Sequence, residues 1–134
     1  MYVFLYKRVG FELTGNFVAT LSYPSFEVMS IDSLPFENET YWGKAILIDE
    51  ENDHIYIYGE SVFSAGIARH PIGNPFPAWT FFDGTDWVPE ESSSVNISNF
   101  SVSSTFSVVE IESAYYLITQ QLGFLTCGLG RNIY

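Results

Sequence analysis

Residues 41–60 read YWGKAILIDEENDHIYIYGE, and the fold follows from them. Trp42 to Ile48 is apolar on both faces, as an inner, fully covered strand should be. The acidic run 49–53 reads as a tight turn. Residues 54–60 form a second strand, rich in the Ile and Tyr that favour a pleated, half-buried surface. The same grammar returns at 106–120, FSVVEIESAYYLITQ: an apolar strand, an acidic turn and an aromatic strand.

Working outward, residues 65–70 read as a third strand and the proline-rich stretch 71–77 as a loop. Residues 78–82 and 86–88 flank Asp83-Gly84, a pair suited to a type I′ turn. That hairpin would blunt the outer edge of the sheet. Upstream, residues 2–7 read as a strand. Residues 17–23 alternate with period two between a Gly15-Asn16 turn signal and Pro24. Residues 27–31 are a third upstream strand. Downstream, 90–99 is a polar, serine-rich linker. Residues 101–111 and 114–120 repeat the first two strands, and 124–129 would be the third. A repeat made of four short strands has the pattern of a β-propeller blade. The expectation is an all-β single domain over 1–134. It holds one complete four-stranded blade (34–98) between two incomplete ones (1–33 and 99–134), and so part of a propeller.

Composition agrees. The 134 residues support one core, and 47% are hydrophobic and 18% aromatic, so the chain is not disordered. No long segment has helical periodicity. The net charge of −11, from 16 acidic and 5 basic residues, repels phosphates and anionic headgroups. Nucleic acid and membrane surfaces are therefore not expected as partners.

The lone Cys127 has no intrachain disulfide partner and belongs to no zinc pattern. No cofactor and no metal site are expected; the acidic run 49–53 lacks the spaced ligands of a calcium loop. The opening MYVFLYKRVGF is unlike a signal peptide, because its basic residues follow the apolar run. A cytoplasmic location is the default, unless the chain is part of a longer precursor.

The segments YWGKAILI, HIYIYGE, GIARHP and WTFFDGTDW, in that order, resemble a family of uncharacterised five-bladed β-propeller proteins. That family is related to glycoside hydrolases of the arabinanase, β-xylosidase and levansucrase type. The resemblance spans residues 17–120. It implies carbohydrate binding or processing on a five-bladed ring. Such a ring takes about twice as many residues. The hydrolases draw their carboxylates from different blades, so this chain alone is expected to be inactive. The alternative is a non-catalytic interaction module, with its open blade faces covered by a second copy or another chain.

Candidate site residues follow from strand ends. Tyr41 and Trp42 open the inner strand and could stack on a sugar, or Trp42 could wedge between blades. Glu60 closes an apolar strand and is the weak candidate for a general acid. Arg69 could clamp a ligand carboxylate or pair with Glu60. Gln120 takes the place of Glu60 in the second copy, but an amide cannot act as an acid. The acids at 49–53, 83–86 and 90–91 read as solvated turns and linkers.

Overall fold

The computed structural model describes residues 1–73, 78–112 and 114–120. The strand expected at 124–129 and Cys127 lie outside the described residues. The described residues are all-β, with one short 3-10 turn at Glu91–Ser93. Among the described residues, ten strands form three antiparallel sheets. The first holds β1 (Tyr2–Val9), β2 (Glu12–Leu21) and β3 (Val28–Leu34) in that order. The second is a five-stranded meander of β4 (Tyr41–Asp49), β5 (His54–Ser61), β6 (Ser64–Pro71), β7 (Thr80–Phe82) and β8 (Trp87–Val88). The third is the hairpin β9 (Phe106–Ile111) and β10 (Ala114–Thr119).

The sheets stack face against face with the five-stranded sheet in the middle. Period-two alternation sends Ile55 and Ile57 of β5 to one side and Tyr56 and Tyr58 to the other. The isoleucines join Trp42, Ala68, Trp79 and Phe81 against Val18 and Leu34 of the first sheet. The tyrosines join Ala65 and Ile67 against Val102, Phe106, Val108 and Leu117 of the third region. An IYIY run is therefore apolar throughout because both of its faces are covered.

The fully covered strand is β5; β4 is an edge strand, and its Ile46 and Ile48 are exposed. Gly15-Asn16 is no turn: β2 runs through both, and the chain reverses at Gly10-Phe11. The Asp83-Gly84 hairpin is wider than a two-residue loop. Asp83 accepts the N–H groups of Thr85 (2.9 Å) and Asp86 (2.8 Å), and only Gly84 of the two has positive φ.

The complete unit is five-stranded, and all three sheets have open edges, so among the described residues they do not close into a ring. The polar stretch after β8 is no free linker. Val95, Ile97 and Val102 donate their N–H groups to the carbonyls of Phe82, Ala65 and Phe63, lashing the connection to the middle sheet. No helix among the described residues is long and apolar enough to cross a membrane.

Candidate functional site at the β1–β4 junction

The start of β4 is shaped by a bulge. Register slips between Trp42 and Ala45, and Gly43 takes φ +84°. A Cβ on Gly43 would stand 2.1 Å from Cγ of Phe4, so β1 lies directly on the glycine's open side. The extra residue re-aims Lys44. Its ammonium sits 4.9 Å from the ring centre of Tyr41 and 5.2 Å from that of Tyr6 on β1.

The two rings meet edge to face at 5.4 Å. Arg8 donates to the Tyr41 hydroxyl at 2.7 Å and lies 5.2 Å from its ring. Tyr6 donates its hydroxyl to the Trp42 carbonyl at 2.9 Å. Glu60 stands directly across from Tyr41 in the ladder, which places both side chains on one face. Its Oε1 accepts the N–H of Phe63 at 3.1 Å.

The result is a cluster of two tyrosines, two cations and one carboxylate at the junction of two sheets. Its electrostatics reflect partial burial. Burial raises the Tyr6 hydroxyl above its ordinary range, with the Glu60 charge and then Tyr41 adding to the effect. Burial lowers the Lys44 ammonium, Glu60 opposes that, and Arg8 adds to the lowering. Tyr6 therefore stays a protonated donor, and Glu60 favours the charged form of Lys44.

Trp42 points away from this cluster. It is 1% exposed, wedged between the first and second sheets, and its ring tilts against Phe81 at 5.3 Å. It presents no free face to a ligand, so of its two readings the wedge is the one the geometry favours. Its Nε1 donates at 2.7 Å to Oε1 of Glu91, and Oε2 of Glu91 accepts the Glu37 N–H. Burial raises this carboxyl above the ordinary glutamate range, while the N–H groups of Glu37 and Trp42 pull it back.

A sequence reading assigns Glu91 to a solvated linker, yet it is 1% exposed. The missed signal was Trp42 itself, since a buried indole N–H needs an acceptor. Asn38 reinforces the site by donating to the Glu91 carbonyl at 2.8 Å. Neighbouring strand residues face opposite ways. The Trp42 side chain thus leaves β4 on the side opposite Tyr41 and Glu60, and carries its contact with Glu91 into the core.

Arg69 does not reach Glu60. Glu60 pairs with Ala65, four places along β6 from Arg69. Instead the guanidinium stacks 4.3 Å from the Trp87 ring on β8. Gln120 is exposed, one residue past β10. Register keeps the repeat legible, because Phe106 faces Thr119 as Trp42 faces Gly59. Arg8, Tyr6 and Lys44 escaped the sequence reading because β1 joins the cluster through packing, which no spacing announces.

At the other end of β4, Asp49, Glu50, Glu51, Glu110 and Tyr115 line a cleft of about 280 Å³. The Asn52 side chain chiefly holds the Asp49 carboxyl below the usual range. Among the described residues no three or more His, Cys, Asp or Glu side chains gather as a metal centre requires.

Comparison with known proteins bears on fold and family. No curated protein matches the chain. A crystal structure of a "putative hydrolase" from Bacteroides ovatus is similar at a TM-score of 0.60 and 20% identity, over 83% of this chain. The chain spans 32% of that protein's length, and the likeness is one of fold. A family model matches residues 5–134, which takes in all three sheets and every residue of the cluster. This chain belongs to that family, described as a domain of unknown function, DUF5005.

Proposed function

We propose that the chain is a carbohydrate-binding or carbohydrate-processing module within a hydrolase-like all-β scaffold, and that its sheets are blades of a five-bladed propeller. The observation that carries the reading is the half-open cluster of Tyr6, Arg8, Tyr41, Lys44 and Glu60. Tyrosine rings accept sugar C–H faces, and Arg, Lys and Glu hydrogen-bond hydroxyls. The hydrolase-named fold neighbour supports the assignment at the level of fold. The three stacked sheets, with β4 at an edge, suit blades whose inner strands line a common axis.

Within this chain the module binds without turning substrate over. Hydrolysis takes two carboxyl groups flanking the scissile bond. Glu60 is the one carboxylate of the cluster, and Glu91 is engaged by the Trp42 indole and the Glu37 N–H. Trp42 serves the core, Tyr41 the ligand. Arg69 and Gln120 remain outside the cluster and contribute only if further chain brings a ligand to them. The experiment is glycan-panel binding and aryl-glycoside turnover on the purified chain. Tyr41→Ala is expected to abolish binding while the melting temperature holds. Turnover that disappears in Glu60→Gln would refute the non-catalytic part.

A second reading is an interaction module completed by a second copy or another chain. The outer face of the first sheet favours it. Leu5, Phe17 and Ser33 stand in one row across that sheet, and Val3, Ala19 and Ile31 in the next. Leu5 is 39% and Ile31 58% exposed, and Val28 and Met29 beside them are more open still. Sedimentation velocity at micromolar concentration tests it. Self-association lost in Ile31→Lys supports this reading, and a monomer that binds no hydrophobic dye counts against it.

A further inference from the structure

We propose that the ligand of the β1–β4 cluster is an acidic saccharide, one whose sugar ring carries a carboxylate, held by Arg8 and Lys44. This rests on the carbohydrate reading and narrows it.

The first ground is where the cations are. A chain of net charge −11 has only 5 basic residues. Arg69 is engaged with Trp87. Arg8 and Lys44 come from different sheets, 36 residues apart in sequence, and still converge on the same tyrosine. On so acidic a surface, cations serving only as struts would be expected to face carboxylates. The direct contacts of these two are to aromatic rings and a phenol hydroxyl, and the one carboxylate acting on them is Glu60, beside Lys44. Stacking orders a guanidinium while leaving its edge of N–H donors open. One of the Arg8 donors goes to Tyr41. The others retain the fork geometry that fits a carboxylate in two parallel hydrogen bonds.

The second ground is the local charge sum. Two cations and one nearby carboxylate, Glu60, leave one positive charge, which matches a single carboxylate and not a polyphosphate. Glu60 then accepts hydroxyls of the same ring, a role a bare anion has no use for. The Tyr6–Tyr41 pair supplies the apolar side against which the ring's C–H edges lie.

The test is calorimetry of the purified chain with short oligogalacturonates, their methyl esters, neutral arabino- and xylo-oligosaccharides, and sodium acetate. The acid is expected to bind, the ester about tenfold more weakly, a ratio that corresponds to one charge-assisted contact. Arg8→Gln and Lys44→Gln should each weaken the acid by about tenfold and the ester by clearly less, so that the preference for the acid shrinks. Arg8→Lys, which keeps charge but not the fork, should fall between. Rising salt should weaken the acid alone.

Neutral oligosaccharides binding as tightly as the acid would overturn the inference and leave the carbohydrate reading standing. Acetate displacing the oligogalacturonate at equal concentration would overturn it by reducing the site to a simple anion site. No saccharide binding of any kind would overturn both readings. Because Arg8 is exposed, its variants should fold; a melting temperature matching the parent chain verifies that before binding is compared.

Discussion

At the scale of the residue, Glu91 carries the most testable energetics. It is a buried carboxyl that accepts two N–H groups, one from Trp42 and one from Glu37. An amide cannot accept at both positions, so Glu91→Gln leaves the buried Trp42 N–H or the part-buried Glu37 N–H unsatisfied and should cost about 1–3 kcal/mol in denaturant unfolding. The pH dependence follows from its raised folded value. The folded state holds the proton more tightly than the unfolded one. The stabilisation is thus complete below the ordinary glutamate range and fades as pH climbs through the folded value. The gap between the parent chain and Glu91→Gln should therefore narrow from acid to neutral pH, and a gap that widens would contradict the burial argument. Trp42→Ala removes the wedge beside it and should cost about 3–5 kcal/mol. Gly43→Ala forces an L side chain to positive φ, at about 1–2 kcal/mol, and drives its Cβ into Phe4. Adding Phe4→Ala removes the ring atoms but leaves a Cβ 2.6 Å away and the backbone strain, so only a partial rescue is expected in the denaturation midpoint.

At the scale of the element, each strand was readable to the extent that its apolar pattern outlived its turns. β5 and β6 were legible because IYIYG and AGIARH carry burial on both faces. The isoleucines of β4 look like core, but an edge strand with a bulge leaves Ile46 and Ile48 in the open. Gly15-Asn16 looked like a turn because those residue types favour one. Tertiary packing uses them differently: Asn16 is buried and donates its amide to the Thr40 carbonyl at 2.6 Å. The β7–β8 hairpin depends on the Asp83 carboxylate, whose pKa is held low by the N–H groups of Asp86 and Thr85. Acidifying through that carboxyl's range should loosen the loop, and Asp83→Asn should blunt the response in the amide chemical shifts of Thr85 and Asp86. Of the candidate site, Tyr41 and Glu60 were legible from strand ends. Tyr6, Arg8 and Lys44 were not, because they meet through a bulge and an inter-sheet contact.

At the scale of the whole molecule, three sheets share two hydrophobic layers, and the middle sheet belongs to both. The connection after β8 ties the middle sheet to the third region through Ala65, Phe63 and Phe82, and Glu91 locks that connection to Trp42. The layers are thereby coupled, and damage to one should be felt in the other. Trp42→Ala is accordingly expected to broaden the methyl resonances of Leu117 and Val108 in the far layer as well as those near the indole. The same arrangement ranks the amides by how often they meet solvent deuterium. β5 is flanked by β4 and β6 and roofed on both faces, so its amide protons can exchange only when the whole chain opens. Those of β3, on an open edge with Val28, Met29 and Ile31 exposed, can exchange by local fraying. The exchange rate at Tyr58 thus serves as a clock for global unfolding, and one that a ligand seated at Tyr41 would slow.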